Sequence, residues 1–257
     1  MAATAASPGR GRKGEPGPRA ALIAGATGGI GSALADALVR EGFGVTLTGR
    51  RADALDQLAG RLDPDRARVH CVTADLTEPQ AAAGVVEEHL ARFASLDTVV
   101  FAAGGGRPLR LDASRPDAWR AQIEVNLIAA ADLVAASLPA LRQAGASPRG
   151  SLVILVSSIV ARRPLPGYAA YSATKAALTS LAAAINEEES ACGVRATAVC
   201  PGYVETPLTA GIRRDAGESF LPAADVAEAA RFLLRLSRGA RVPVVEIARI
   251  SAGDGRP

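Results

Sequence analysis

The stretch AALIAGATGGIGSALADAL, residues 20–38, decides the fold. It begins with a short apolar run, 20–24, which is typical of a strand buried on both faces. Four glycines lie within the next seven residues, and 33–38 then has the composition of a helix. Glycines allow a sharp turn and a close approach to a pyrophosphate, and the helix N-terminus offers free N–H donors. The order of strand, glycine turn and helix therefore predicts a dinucleotide-binding loop.

The spacing of this loop is Gly-x-x-x-Gly-x-Gly, which differs from Gly-x-Gly-x-x-Gly. It lacks the Gly-Lys-Ser/Thr ending of a P-loop, so hydrolysis of a nucleoside triphosphate is not expected. The alternative is a glycine-rich tight turn that binds nothing. The predicted cofactor-binding residues of the loop are Gly25, Thr27, Gly28, Gly29, Ile30 and Gly31.

Short apolar runs and longer amphipathic segments alternate along the rest of the chain. The predicted strands are 20–24, 44–48, 68–72, 97–101, 151–156, 194–199 and 244–247. The predicted helices are 30–41, 51–61, 78–93, 116–143, 171–191 and 223–236. Strict alternation indicates right-handed crossovers with helices on both faces of a parallel sheet. We expect a single-domain Rossmann-type α/β fold over 20–250, with a doubly wound parallel sheet of about seven strands.

Composition sets the broad class of protein. The chain has 257 residues, of which 49% are hydrophobic and 21% charged, so it is not fully disordered. The net charge of +3 belongs to residues 1–19, which we expect to be a flexible basic Gly/Pro/Ala tail. We expect residues 251–257 to be a second, C-terminal tail. The balanced charge of the remaining chain argues against nucleic-acid binding.

Other features point to a cytoplasmic protein. No apolar run approaches the ~18–20 uncharged residues of a membrane-spanning helix, and no secretory signal is readable. Cys71, Cys192 and Cys200 lack the paired spacing of metal ligands, so we expect reduced thiols and no metal site.

Two arginines, Arg50 and Arg51, follow the second predicted strand. A cofactor with a free 2′-hydroxyl is usually met here by Asp or Glu, whereas guanidinium groups suit a 2′-phosphate. The pattern favours NADP(H) and leaves NAD(H) possible. The alternative is that both arginines only solvate the start of a helix.

The segment Tyr171-Ser172-Ala173-Thr174-Lys175 places a phenol and an ammonium four residues apart, on one face of a predicted helix. An ammonium beside a phenol lowers the pKa of the phenol and makes it usable in proton transfer. The fifth predicted strand ends at Ser157 and Ser158, at the edge where open α/β sheets bind ligands.

With these motifs the chain resembles the classical short-chain dehydrogenase/reductase family from about residue 20 to 236. The glycine turn is similar to the family's Thr-Gly-x-x-x-Gly-x-Gly, with Ala24 in place of the threonine. Asn126 matches the family's helix asparagine, and Ser158 lies thirteen residues before the tyrosine, as the catalytic serine commonly does. The resemblance implies that the catalytic residues are Asn126, Ser158, Tyr171 and Lys175.

The resemblance also implies further cofactor contacts. Asp75 and Leu76 resemble the pair that meets the adenine, and 201–207 resembles the loop that holds the nicotinamide carboxamide. The implied contacts outside the glycine turn and the arginine pair are Asp75, Leu76, Ala103, Gly104, Tyr171, Lys175, Pro201, Gly202, Val204 and Thr206.

Two features depart from the family. The family's Asn-Asn-Ala-Gly is Phe101-Ala102-Ala103-Gly104 here, and the C-terminal segment is atypical, which puts the usual C-terminal subunit contact in doubt.

The implied reaction is hydride transfer between a nicotinamide and a carbonyl or secondary alcohol, as in a ketone or 3-oxo-acyl reductase. Tyr171 would donate the proton, Ser158 would bind the carbonyl oxygen, Lys175 would hold the ribose, and Asn126 would hold a water that links Lys175 to solvent. The alternatives are an NAD-dependent alcohol dehydrogenase of the same family and a non-catalytic cofactor-binding partner or regulator.

The expected partner is a small-molecule or carrier-bound carbonyl substrate, with neither nucleic acid nor membrane. The wall of the substrate pocket should come from residues 105–109, 159–168 and 208–221. In these segments, Arg107, Arg162 and Arg163 either attract an acidic substrate or are ordinary solvated charges. Small residues in the two long helices, such as Ala129 and Ala183, predict a homodimer or homotetramer.

Overall fold

The short apolar runs form one parallel sheet, and the segments between them form the helices that cover it. The structure is a computed structural model and describes residues 19–106, 108–212 and 219–249. The predicted tails lie outside these residues except for Arg19, as do Arg107 and residues 213–218 of the predicted substrate wall.

The strands follow the predicted order with small shifts at their ends. They are β1 (Ala20–Ala24), β2 (Gly44–Gly49), β3 (Val69–Thr73), β4 (Thr98–Phe101), β5 (Ser151–Val156), β6 (Val194–Pro201) and β7 (Val244–Ile247). All neighbouring pairs are parallel, and the order across the sheet is β3-β2-β1-β4-β5-β6-β7. The predicted single-domain doubly wound α/β fold is confirmed. The winding reverses between β1 and β4, so the crevice at their carboxyl ends is the expected ligand site.

The helices agree with the prediction except in the middle of the chain. They are α1 (Gly29–Arg40), α2 (Ala52–Leu62), α3 (Ala81–Phe93), α4 (Pro116–Ile123), α5 (Ala129–Gly145), α6 (Ala169–Glu189) and α7 (Ala223–Arg235). The single helix predicted over 116–143 is divided by a π-helical turn, Glu124–Ile128. Such a turn holds one extra residue within an α-helix and is frequent at functional sites.

The core has two layers, one on each face of the sheet. Along β1, Ala21 and Ile23 pack with α1, α2 and α7, while Leu22 and Ala24 pack with α3, α5 and α6. Successive side chains of a strand point to opposite faces, so a strand covered on both sides must be apolar throughout. Burying each large apolar side chain contributes roughly 1.5–3 kcal/mol.

The segment Pro116–Gly145 is long and apolar enough to cross a membrane, judged by length and composition only. Leu133 and Leu141 in this segment are fully buried and belong to the same core layer as β4 and β5. A core helix passes the same test, and packing on the sheet accounts for the apolar composition of this one.

Candidate active site

The glycine turn after β1 needs glycines at three positions. Gly25 has a φ of +74°, and a Cβ atom there would lie 2.5 Å from the backbone nitrogen of Ala103. A Cβ atom on Gly31 would overlap the Gly25 carbonyl oxygen, and one on Gly29 would lie 2.5 Å from Cγ2 of Thr206. The turn is therefore a close-packed cradle formed by the segments after β1, β4 and β6.

The parallel sheet brings the predicted cofactor-binding residues to the carboxyl edge. The loop residues Gly25, Thr27, Gly28, Gly29, Ile30 and Gly31 follow β1, and the others, at the ends of β2, β3, β4 and β6, are Arg50, Arg51, Asp75, Leu76, Ala103, Gly104, Pro201, Gly202, Val204 and Thr206. At the start of α1, the N–H groups of the first turn have no intrahelical partner. They suit the phosphates of a dinucleotide, so the residues present fit such a cofactor.

The end of β2 carries charge that the described residues leave unpaired. Arg50 and Arg51 are exposed, and within the described part of the chain neither side chain makes a hydrogen bond or a salt bridge. Near Arg50, Asp75 accepts hydrogen bonds from Thr77 N (3.1 Å) and Thr77 Oγ1 (2.8 Å). These bonds, with the charge of Arg50 as a smaller contribution, hold the pKa of Asp75 below its usual value.

Tyr171 lies in the first turns of α6 and faces the end of β5. Burial raises the pKa of its phenol, and the neighbouring Ser158 hydroxyl opposes that rise. The Ser158 hydroxyl also accepts a hydrogen bond from Val160 N at 3.3 Å. The Tyr168 ring stands edge-on to Tyr171, with 6.3 Å between the centroids. The structure thus brings the predicted Ser158 and Tyr171 together.

Lys175 lies one turn further along α6 and is only 4% exposed. Its Nζ atom donates a hydrogen bond to the Val156 carbonyl oxygen at 2.8 Å and is 5.6 Å from the centre of the Tyr171 ring. Burial lowers the pKa of Lys175 to about 8. The expected lowering of the tyrosine pKa by Lys175 does not appear, because the ammonium turns towards the backbone of β5 and burial dominates the phenol.

Asn126 is fully buried in the π-helical turn and clamps the loop after β4. Its Oδ1 atom accepts a hydrogen bond from Gly105 N, and its Nδ2 atom donates to the Gly105 carbonyl oxygen, both at 3.0 Å. The Nδ2 atom also donates to Thr174 Oγ1 at 3.1 Å. The predicted asparagine therefore lies at the site, where its side chain fixes the position of a loop.

The loop held by Asn126 packs directly on Tyr171, the predicted proton donor. Gly104 has a φ of +121°, and a Cβ atom there would overlap Oδ1 of Asn126. A Cβ atom on Gly106 would lie 2.5 Å from Cγ of Tyr171, so the Gly106 backbone rests on the tyrosine ring. The loop is tied down again where Leu109 N donates to the Gly167 carbonyl oxygen at 2.6 Å.

Phe101 replaces an asparagine of the family pattern and is fully buried beside α3, α5 and α6. It packs in the core where the family has an amide. The backbone of Ala103 still touches the glycine turn at Gly25, so this contact between β1 and β4 does not depend on the missing side chain.

Sequence analysis missed three contacts of the site. Thr174, within the quoted helix motif, holds Asn126, and Gly106 supports the tyrosine ring. Glu246 of β7 pairs with both Arg162 and Arg163, which the sequence left open as possible substrate contacts. A run of three glycines signals a crowded loop, but no sequence pattern connects Glu246 with residues more than eighty positions away.

Comparison with known proteins agrees with this geometry. The family model described as short chain dehydrogenase matches residues 19–217. A cis-4-hydroxycyclohexanecarboxylate dehydrogenase of Sinomonas cyclohexanicum is 35% identical over 201 residues, which cover 77% of this chain and 78% of that protein. An uncharacterised oxidoreductase of Staphylococcus saprophyticus is 31% identical, covering 84% of this chain and 91% of that protein.

Two solved structures share the fold. An alcohol dehydrogenase from Thermococcus sibiricus, complexed with 5-hydroxy-NADP, superposes with a TM-score of 0.80 at 30% identity, over 89% of this chain and 95% of that one. A 3-ketoacyl-(acyl-carrier-protein) reductase from Brucella melitensis, complexed with NADH, gives a TM-score of 0.82 at 26% identity, over 90% and 96%.

Proposed function

This chain belongs to the short-chain dehydrogenase family and is a nicotinamide-dependent oxidoreductase, and from that premise we propose that it uses NADP(H) to interconvert a ketone and a secondary alcohol. The observation that carries the proposal is the position of Tyr171 next to Ser158 and to a buried Lys175, at the same edge of the sheet as the glycine turn.

A bound nicotinamide supplies or takes up the hydride. The raised pKa of Tyr171 keeps its phenol protonated at neutral pH, as donation of a proton to a carbonyl oxygen requires. The Ser158 hydroxyl lies beside the phenol and donates a hydrogen bond to the same oxygen as negative charge develops there.

Lys175 and Asn126 support these two groups. With a pKa of about 8, Lys175 is mostly protonated at pH 7 and has N–H donors beyond the one that binds Val156. Those donors suit the hydroxyl groups of the nicotinamide ribose. Asn126 orders Gly105 and Thr174 and so fixes the floor of the crevice.

The proposed preference for NADP(H) rests on Arg50. Its guanidinium is exposed at the end of β2 and is not used by a hydrogen bond or salt bridge among the described residues, so it is available to a 2′-phosphate. Asp75 is the nearby carboxylate, but it is already bonded to Thr77.

The test combines a cofactor titration with a panel of ketones. Quenching or enhancement of NADPH and NADH fluorescence gives the two dissociation constants, and loss of reduced-cofactor absorbance gives turnover. We expect tighter binding of NADPH and turnover of at least one ketone. Equal dissociation constants would favour the NAD-dependent alternative, and tight binding without any turnover would favour the non-catalytic cofactor-binding partner.

We also propose a cytoplasmic homodimer, or a homotetramer, that pairs α5 and α6 across a two-fold axis. Ala129 and Ala130 are buried in the core of their own subunit, so the small residues available to a second subunit are outward ones such as Ala135 and Ala183. Light scattering at low micromolar concentration tests this, because a mass near 26 kDa throughout would mean a monomer.

A further inference from the structure

The large apolar side chains that remain exposed are concentrated at the mouth of the crevice. Among the described residues, the exposed large apolar side chains are Leu111, Ile128, Leu165, Leu208 and Phe232. Leu111, Leu165 and Leu208 belong to the loops after β4, β5 and β6, at the carboxyl edge of the sheet. Apolar side chains at the edge of a concave site usually contact the apolar part of its ligand.

Leu208 has the most direct relation to the catalytic residues. It is 62% exposed, and its Cδ1 atom lies 3.8 Å from the place that a Cβ atom on Gly105 would occupy. Gly105 is the residue clamped by Asn126, and the next residue, Gly106, rests on the Tyr171 ring. Leu208 therefore covers the loop that touches the catalytic tyrosine.

The backbone around Leu208 is fixed by hydrogen bonds. Thr209 Oγ1 donates to the Val204 carbonyl oxygen at 2.6 Å and accepts from Thr206 N at 3.1 Å. Thr209 N donates to the Thr206 carbonyl oxygen at 3.0 Å. The exposed leucine thus belongs to a hydrogen-bonded turn, and its side chain lies next to Gly105.

The arginines of the described parts of these loops are already matched by carboxylates. Arg110 makes two hydrogen bonds with Asp112, at 3.1 and 3.0 Å. Arg162 and Arg163 both pair with Glu246. A substrate carboxylate would have to compete with these internal partners, whereas Leu111 and Leu208 remain 67% and 62% exposed among the described residues.

Building on the function proposed above, we infer that the substrate is an uncharged, predominantly apolar ketone or secondary alcohol and that Leu208 is a specificity-determining residue for it. The carbonyl group lies at Tyr171 and Ser158, and the apolar part packs against Leu208. This chemistry distinguishes the substrate from 3-oxo acids, which carry a carboxylate near the reacting carbon.

The experiment compares matched ketones that differ by one carboxylate. The pairs are 2-octanone with 7-oxooctanoate, and cyclohexanone with 4-oxocyclohexanecarboxylate, each assayed with NADPH and with NADH. We expect the uncharged member of at least one pair to have the higher kcat/KM. The variant Leu208→Asn, nearly isosteric but polar, should lower kcat/KM for that ketone about tenfold, mainly through KM. Leu208→Met, which keeps an apolar side chain of similar size, should retain most of the wild-type kcat/KM for that ketone.

Phe232→Asn is the matched control, since Phe232 is also an exposed apolar residue but lies on α7, which packs on α1, β6 and β7. Phe232→Asn should leave the ratio of kcat/KM between the uncharged ketone and its matched carboxylate unchanged. A preference for the carboxylates, turnover of the carboxylates but of no uncharged ketone, or a Leu208→Asn variant whose kcat/KM for the preferred ketone is unchanged would overturn the inference. Failure to bind either cofactor, or cofactor binding without turnover of any ketone, would instead refute the proposed function.

Discussion

The contact between Gly106 and the Tyr171 ring makes catalysis depend on a hydrogen atom at position 106. In Gly106→Ala, the new Cβ atom would lie 2.5 Å from Cγ and 2.6 Å from Cδ2 of Tyr171, while ordinary contacts begin at 3.4 Å. The ring or the loop must therefore move by about 1 Å, a displacement that costs about a hundredfold in rate when it misaligns a catalytic group. Gly106 does not have a positive φ, so alanine causes no backbone strain there.

The assay for Gly106→Ala separates chemistry from binding. We expect kcat to fall about a hundredfold while the dissociation constant of NADPH changes little, because the atoms nearest to the new Cβ all belong to Tyr171 and none to the glycine turn. Gly105→Ala is the control, since its Cβ atom would meet only Leu208 Cδ1, at 3.8 Å. It should retain most of kcat. A Gly106→Ala enzyme with normal kcat, or one that loses kcat no more than Gly105→Ala, would refute the reasoning.

Three further predictions concern single side chains. Tyr171→Phe should fold and bind cofactor but lose nearly all turnover, and near-normal activity of the purified variant would contradict its role as proton donor. Arg50→Ala should weaken NADPH binding about ten- to hundredfold, from roughly 1.5–3 kcal/mol for a charge-assisted contact, and leave NADH binding unchanged in the same titration. Buried His89 bonds Thr46 Oγ1 (2.7 Å) and the Ser95 carbonyl oxygen (2.8 Å), and burial lowers its pKa from 6.5 to about 4. Because the unfolded chain binds the proton more readily, His89 should cost roughly 3 kcal/mol of stability as the pH falls from 6.5 to 4. Denaturant unfolding of the wild type and His89→Gln should show this difference in pH dependence, and parallel curves would contradict it.

Sequence patterns predicted the sheet well because its central strands are buried on both faces. The predicted bounds of β1 and β5 agree with the structure at both ends, and so do those of β7, a partly buried strand at the edge of the sheet. The start of α3 was predicted three residues early, because Gln80 adopts a left-handed conformation with a φ of +63° that hydrophobic periodicity does not reveal. Periodicity also reads through the π-helical turn, since the residues on both sides of it are helical.

Sequence patterns predicted which side chains lie together at the candidate site, but they predicted the electrostatics of these side chains less well. The spacing of Tyr171 and Lys175 along a helix fixes which face they share, and the structure places both there. It does not fix the direction of the ammonium group, which depends on the Val156 carbonyl oxygen of a neighbouring strand. Long-range contacts of this kind, like that of Asn126 with Gly105, come from tertiary packing and leave no mark in local spacing.

The π-helical turn at Glu124–Ile128 makes the site sensitive to chain length as well as to residue type. An α-helix turns about 100° per residue, and the wide turn completes its rotation with one residue more than a regular turn, so α4 and α5 keep nearly the phase of a continuous helix. Asn126 lies in the middle of this turn, and a deletion that closes it should withdraw the side chain from Gly105 while the two helices keep their packing. In this part of the chain, a deletion of one residue should damage the site more than it damages the fold, because the extra residue sets the position of Asn126.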